Sequence, residues 1–155
     1  MTNTTYKITA PATGKCVPIE AVHDKALSSK MLGEGIAIFP TEGKAVAPCD
    51  CVVNCVSEAK RAVTVLDTKN DLELMLCADI DEAMSNPKFS FCVEPGQVVK
   101  AGESLFTCDV EDIKAHGYRV DFPCIVTNAA LANIDVMSGD VVCGETDVMS
   151  CESVG

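Results

Sequence analysis

Turn-forming residues interrupt this chain at short, regular intervals, and this spacing restricts the folds that it can adopt. Clusters of Gly, Pro, Asn and Asp recur roughly every eight to twelve residues. The segments between them are rich in β-branched and other apolar residues, and the predicted strands are Tyr6–Thr9, Lys15–Ile19, Gly35–Phe39, Lys44–Ala47, Cys51–Val56, Ala62–Leu66, Leu72–Cys77, Gln97–Lys100, Leu105–Val110, Cys124–Thr127 and Val141–Cys143. Such a series of short strands is typical of an antiparallel β sandwich or barrel, so we predict an all-β fold.

Helices are predicted to be few and short. Asp24–Met31 is one candidate, and Val110–His116 is a second, with Asp109 as its N-cap. Ala129–Asn133 is predicted to form a single helical turn. These segments add short helical turns to the β fold and leave its class unchanged.

Length and charge limit the function further. The 155 residues contain no linker or low-complexity segment, so we expect one domain spanning residues 1–155. No apolar run is long enough to span a membrane and the N-terminus lacks a signal peptide, which predicts a cytoplasmic protein without membrane insertion. The start at Met1 favours a free-standing protein. The net charge of -11 opposes binding to nucleic acid or to anionic membranes.

The ten cysteines are predicted to be free thiols, mostly reduced and often buried, because the chain is expected in the cytoplasm. Cys49, Cys51 and Cys55 are predicted to alternate onto one face of a strand, which leaves a soft-metal or redox thiol site as one hypothesis. Neighbours at this spacing on a strand favour neither a disulfide nor the paired turns of a zinc site. We therefore prefer the interpretation that small cysteine side chains fill core positions, and we assign no metal and no cofactor.

The segment Leu72–Asp81 is the strongest candidate for chemistry. Its apolar first half predicts a strand that is covered on both faces, whereas its second half is acidic. If the strand continues to the end of the segment, Cys77, Asp79 and Asp81 point in the same direction. A thiol beside two carboxylates at the end of a buried strand is a candidate functional site.

Several stretches of the chain are similar, in the same order, to one known family. They are TGKCVPIEAV (13–22), KMLGEGIAIFPTEGKAVAPCD (30–50), GQVVKAGESLFTCDVEDIKAHGY (96–118), PCIVTN (123–128) and GDVVCGET (139–146). Together they resemble the glucose class of enzyme IIA of the phosphotransferase system, over about residues 6 to 149 and with a short deletion near residues 86–88. The run KMLGEGIAIFPTEG is specific to this resemblance.

The resemblance implies an antiparallel β sandwich and a role in bacterial sugar uptake. Members of the family accept a phosphoryl group from the histidine-containing phosphocarrier protein and pass it to the IIB domain of a sugar permease. The unphosphorylated family domain also binds and regulates other proteins. The resemblance therefore implies the phosphocarrier protein and the permease IIB/IIC domains as partners.

The chain departs from the family at the two histidines that handle the phosphoryl group. The accepting histidine lies in a motif like E-(apolar)3-H-(apolar)-G-(apolar)-D-T. The aligned stretch ELMLCADIDE has Cys77 at the histidine position and Asp79 at the glycine position, while Asp81 matches the motif. The second histidine lies in a motif like T-(K/N)-H-A, and the stretch AKRA has Arg61 there. We therefore predict that both active-site histidines are absent.

These substitutions leave two hypotheses, and whether the chain is an enzyme stays open. The preferred hypothesis is a domain that is degenerate in phosphotransfer and acts by protein binding or regulation. The alternative is an active phosphocarrier in which Cys77 accepts the phosphoryl group and Arg61 binds its oxygens. Asp79 and Asp81 argue against the alternative, because nearby carboxylates raise the pKa of a thiol and repel an incoming phosphoryl group. Both hypotheses predict that Cys77 and Arg61 lie close together, on neighbouring strands, at a shallow depression.

Overall fold

The computed structural model describes residues 4–69, 72–128 and 132–153. The strands within these ranges are β1 (Thr4–Thr9), β2 (Gly14–Pro18), β3 (Glu34–Pro40), β4 (Lys44–Val46), β5 (Cys51–Ser57), β6 (Ala62–Asp67), β7 (Glu73–Cys77), β8 (Asp79–Ile80), β9 (Phe89–Phe91), β10 (Val98–Val99), β11 (Ser104–Cys108), β12 (Val120–Val126), β13 (Ala132–Val136), β14 (Gly139–Val141) and β15 (Asp147–Ser153). The same ranges contain two short helices, α1 (Lys25–Ser28) and α2 (Val110–Ala115), and a 3-10 turn at Ile19–Ala21. Neither helix is long and apolar enough to cross a membrane.

The strands form one large antiparallel sheet and two small ones. The 9-stranded sheet has the order β10-β5-β6-β7-β12-β3-β2-β14, and β8 pairs with the start of β12. The two 3-stranded sheets have the orders β1-β15-β13 and β4-β11-β9. Apolar side chains from all three sheets meet in one core. The predicted all-β sandwich with short helices is therefore confirmed.

Every predicted strand segment overlaps an observed strand, whereas β8, β9 and β13 were not predicted. Both predicted helices are present in the structure, and α1 is shorter than predicted. Of the helical turn predicted at Ala129–Asn133, residues 129–131 lie outside the described residues. The prediction is wrong for Ala132 and Asn133, because these residues begin β13 and pair with β15.

The centre of the large sheet is packed too closely for a side chain at one position. Cys124 of β12 pairs with Ile36 of β3 on one side and with Leu76 of β7 on the other. A Cβ atom at Gly35 would lie 2.2 Å from the carbonyl oxygen of Cys124, well inside van der Waals contact. Glycine at this position therefore lets β3 approach β12.

A second, smaller apolar cluster covers the other face of the large sheet. Ile19, Val22 and Leu27, from the 3-10 turn and α1, pack there on Cys77 and Ile125. The N-cap of α1 is fixed by its side chain, because an Asp24 carboxylate oxygen accepts hydrogen bonds from the Ala26 and Leu27 amides at 2.8 and 3.3 Å. This packing holds α1 over the end of β7.

The predicted row of three cysteines on one strand face is wrong. The pairing of β5 with β6 shifts register between Val53 and Cys55, which is a β-bulge at Asn54. Cys51 is consequently buried, while Cys55 is exposed on the opposite face. All ten cysteines are free thiols, and six of them are buried: Cys16, Cys51, Cys77, Cys108, Cys124 and Cys151. In the described ranges, no group of three or more His, Cys, Asp or Glu side chains is arranged to hold a metal ion.

Candidate functional site

The pairing of β6 with β7 brings Arg61 next to Cys77. Ala62 at the start of β6 is the register partner of Cys77 at the end of β7. One residue further out, the Ala78 amide donates a hydrogen bond to the Arg61 carbonyl oxygen at 3.0 Å. Arg61 and Cys77 therefore lie side by side where these two neighbouring strands begin and end, as the aligned sequence positions predicted.

Both residues line one open depression of about 310 Å³. Its floor and rim also carry charged side chains of both signs: Asp24, Lys60, Asp79 and Glu82. The remainder of the lining is apolar and consists of Leu27, Leu32, Met75, Ile80 and four alanines. The depression therefore has the mixed apolar and charged character of a protein-binding surface.

Arg61 has a backbone conformation that is unusual for a non-glycine residue. Its φ angle of 50° lies in the left-handed region. The conformation closes the turn between β5 and β6, in which the Arg61 amide donates a hydrogen bond to the Glu58 carbonyl oxygen at 3.3 Å. The neighbouring strands hold this turn at both ends, so the position of Arg61 at the rim of the depression is fixed by the β5–β6 pairing.

The Cys77 thiol is nearly inaccessible, with 7% of the residue exposed. Burial raises its pKa to about 12, with Asp79, Asp121 and Asp24 adding to the increase and Lys60 opposing it. At neutral pH this thiol is consequently protonated. A protonated thiol is a poor nucleophile, because the thiolate is the reactive form.

The Asp79 carboxylate is held by an arginine that sequence reasoning missed. The Nη1 group of Arg119 donates hydrogen bonds to Oδ2 of Asp79 and to Oδ2 of Asp121, each at 3.1 Å. Asp79 and Asp121 are register partners across β8 and β12, so their side chains leave the sheet together. The only sequence signal was the alternation of Arg119 and Asp121 at the start of an apolar strand, and it did not indicate their partner.

Asp81 does not line the Cys77 depression, and the common direction of Cys77, Asp79 and Asp81 stays a prediction for Asp81. The strand is interrupted after Cys77 and the chain turns at Asp81, where the Asp81 carboxylate accepts a hydrogen bond from the Ala83 amide at 3.0 Å. The Asp81 side chain lies instead in a neighbouring depression with His23 and Arg119. Of the predicted site residues, the structure thus brings together Cys77, Arg61 and Asp79.

An apolar surface adjoins the depression on the side of α1. Met31 is 80% exposed and Leu32 is 43% exposed, and Leu32 also lines the depression. Both residues follow α1, which the Asp24 cap holds over the end of β7. These two side chains extend the apolar lining of the depression onto the surrounding surface.

Comparisons with known proteins agree on one family. Residues 6–131 match the family model described as phosphoenolpyruvate-dependent sugar phosphotransferase system, EIIA 1. The chain is 36% identical over 140 residues to the PTS system glucoside-specific EIICBA component of Staphylococcus carnosus (strain TM300). That alignment covers 89% of this chain but only 20% of the relative, so this chain spans about a fifth of the relative's length.

A solved structure is similar over nearly the whole chain. Glucose permease IIA from Mycoplasma capricolum superimposes with a TM-score of 0.80 at 26% sequence identity. The superposition covers 95% of this chain and 96% of that one. The fold and the matched sequence therefore point to the same group of proteins.

Proposed function

We propose a binding role rather than a phosphoryl-carrying role for this chain, which belongs to the EIIA 1 family of the phosphoenolpyruvate-dependent sugar phosphotransferase system. The chain acts as a single domain in the cytoplasm, where it binds protein partners at the Cys77 depression. It carries no phosphoryl group there, because neither histidine of the family motif is present in the aligned positions.

The buried, protonated thiol of Cys77 carries this proposal. Phosphoryl transfer to cysteine requires a thiolate that can reach the donor, and Cys77 is 7% exposed with its pKa raised to about 12. Asp79 also lines the depression together with Cys77. A phosphoryl group carries close to two negative charges at neutral pH, so the carboxylate opposes its arrival.

Arg61 and Lys60 keep the depression able to bind an anionic group of a partner. Both line the depression, and neither supplies a nucleophile. The active alternative, with Cys77 as acceptor and Arg61 as phosphate ligand, therefore lacks a reactive atom. A metal or redox role for the thiols is not proposed, because the bulge at Asn54 separates Cys55 from Cys49 and Cys51.

Family membership suggests which partners the surface binds. The proposed partners are the histidine-containing phosphocarrier protein and the IIB/IIC domains of a sugar permease. The relative from Staphylococcus carnosus is named an EIICBA component, which supports an association with IIC and IIB domains. Exposed Met31 and Leu32 provide the apolar contact for such a partner.

The phosphoryl-carrying role is tested by intact mass. The chain and its Cys77→Ser variant are incubated with phosphoenolpyruvate, enzyme I and the histidine phosphocarrier protein, and the mass of each is measured. We expect no mass increase in either protein. Rapid stoichiometric labelling of the wild type that is lost in Cys77→Ser would overturn the proposal and establish the alternative.

The binding role is tested with the unphosphorylated phosphocarrier protein and an isolated IIB domain. Met31→Asp is expected to weaken binding of a true partner by roughly tenfold or more, since burial of a methionine side chain contributes about 1.5 to 3 kcal/mol. Val98→Asp is the matched control, because Val98 is 72% exposed but lies on β10, at the far edge of the large sheet. Equal binding by both variants would place the contact elsewhere.

A further inference from the structure

One carboxylate in the structure is buried with half of its hydrogen-bonding capacity unused. Asp121 is 1% exposed, and its Oδ2 atom accepts a hydrogen bond from Arg119 at 3.1 Å. Its Oδ1 atom is also buried and has no hydrogen-bond partner among the described residues. An ionised carboxylate oxygen that is buried without a hydrogen-bond donor is strongly unfavourable, so this environment favours the neutral, protonated form of Asp121.

The charge balance around Asp121 leads to the same conclusion. Asp79 lies directly opposite Asp121 in the β8–β12 pairing, and both carboxylates share the single Nη1 group of Arg119. Two like charges that face each other across paired strands are destabilising. One guanidinium compensates one carboxylate, and the second negative charge is left in a buried place.

We propose that Asp121 is a proton-binding site, at which Oδ1 takes up a proton in mildly acidic solution and removes the excess negative charge of the Arg119–Asp79–Asp121 cluster. The proton adds to a carboxylate oxygen and forms a neutral carboxyl group, and no other bond is made or broken. Oδ2 of the neutral group still accepts the hydrogen bond from Arg119. This proposal does not depend on the binding role of the Cys77 depression.

The groups that face Asp121 come from several elements. Burial and, next, the charge of Asp79 raise the pKa of Asp121 to about 6, against the opposing effects of Arg119 and His23. Lys114 of α2 lies across the same depression as Asp121, but its ammonium group is bonded to the Pro40 carbonyl oxygen. Tyr118 lines the same depression as Asp121, and Cys77, whose pKa is raised partly by Asp121, is protonated. Burial and Asp79 together therefore outweigh the cations.

Protonation of Asp121 changes the neighbouring depression. Asp79 lines the Cys77 depression, and its charge is shared with Asp121 through Arg119. When Asp121 is neutral, Arg119 compensates Asp79 alone, so the depression becomes less negative as the pH falls. The cluster therefore links the pH of the solution to the charge of the candidate site.

Carboxyl-carbon NMR of the intact chain tests the proposal directly. The Asp121 resonance is followed between about pH 4 and about pH 8, and its midpoint is expected near 6. Asp79→Asn removes the facing negative charge and should lower the midpoint, while Arg119→Met removes the cation and should raise it, each by at least about half a pH unit. Asp81→Asn is the matched control, since Asp81 lies one residue beyond β8 and has no bond to Arg119 through its side chain. His23→Gln is measured in addition, so that a charge change at His23 is not mistaken for one at Asp121.

The wild-type titration decides the proposal even if a variant fails to fold. A midpoint below about 4.5, close to that of an ordinary aspartate, would overturn it. A midpoint near 6 that moves in neither Asp79→Asn nor Arg119→Met would also overturn it, because the cluster would then not control the proton. An equal movement in Asp81→Asn would assign the effect to general charge and contradict the specific site.

Discussion

Strand β12 passes through two regions of opposite character. Its second half, at Cys124 to Val126, lies between β3 and β7, and these residues are 0% exposed. Its first half pairs with β8 and carries Asp121 beside Arg119 and Asp79. The apolar half keeps the close packing of the sheet, whereas the charged half lies next to the Cys77 depression. The contrast indicates that close apolar packing limits the residues of the sheet, whereas charge limits the residues of the candidate site. Residues of the site can therefore be substituted while the sheet is retained.

The largest expected effect is the difference in alkylation rate between buried Cys77, at the candidate site, and the exposed cysteines. The pKa of Cys77 is raised from its ordinary 9.0 to about 12, which lowers its thiolate fraction about a thousandfold at neutral pH. Cys55 and Cys92 are exposed and should react first with iodoacetamide in the native protein. Peptide mapping after timed alkylation measures each site. Alkylation of Cys77 as fast as that of Cys55 would contradict the buried, protonated thiol.

A methyl group at Gly35 should disrupt the apolar half of β12. Gly35→Ala places a Cβ atom 2.2 Å from the Cys124 carbonyl oxygen, so β3 and β12 must separate. We expect a loss of roughly 3 kcal/mol or more in the free energy of unfolding, measured in urea. Gly96→Ala is the control, since no heavy atom lies within 4 Å of its added Cβ and only backbone strain, of about 1 to 2 kcal/mol, opposes it. Equal losses in the two variants would show that the close approach is unimportant.

Asp121, in the charged half of β12, should make the free energy of unfolding depend on pH. The pKa of Asp121 is raised from its ordinary 3.8 to about 6 in the folded state. Its contribution therefore favours the folded state fully below about pH 4 and is lost as the pH rises to about 6, by up to about 3 kcal/mol. Asp121→Asn cannot titrate, so the difference in unfolding free energy between wild type and variant should fall across this range. A constant difference would mean that Asp121 has the same pKa in both states.

Cys77 lies at the junction of β7 and β8, the strands that pair with the two halves of β12, and this position should tolerate substitution best. Cys77→Ala removes one buried sulfur atom at the end of β7, beside an open depression that can adjust. We expect a loss of about 1 kcal/mol in unfolding free energy and an unchanged sheet by circular dichroism. Cys124→Ala, in the apolar half of β12, is the matched comparison and should cost more. A larger loss at Cys77 than at Cys124 would reverse the comparison.

The sequence predicted the framework because turn residues and apolar runs are local signals. The segments that became β3, β6 and β7 could be predicted from period and composition alone. The short strands β8 and β9 could not, since so few residues carry no period and the strands form only by pairing with β12 and β11. The bulge at Asn54 could not be predicted either, because an extra residue in one strand leaves no mark on its composition.

The candidate site could be predicted only in part for the same reason. Alignment to family motifs placed Cys77 and Arg61 together, and the β6–β7 pairing places them side by side. No local pattern indicated that the Asp79 carboxylate would be bound by Arg119, which lies 40 residues away along the chain. Nor did any local pattern indicate that Asp81 lies beyond the end of β8, in a neighbouring depression with His23 and Arg119. Ion pairs between side chains on different strands can be predicted only when the pairing of those strands is known.

Restoring the missing chemistry tests the central claim, that the site has lost both its nucleophile and the electrostatic setting for phosphate. Labelling rates from the phosphorylated histidine phosphocarrier protein are measured for Cys77→His, for Cys77→His with Asp79→Gly, and for the triple variant that adds Arg61→His. We predict inefficient labelling of the single variant, because Asp79 still opposes the phosphoryl group, and clear gains with the second and third changes. Efficient labelling of Cys77→His alone would contradict the claim, since loss of the histidine would then account for the whole defect and Asp79 would have no part in it.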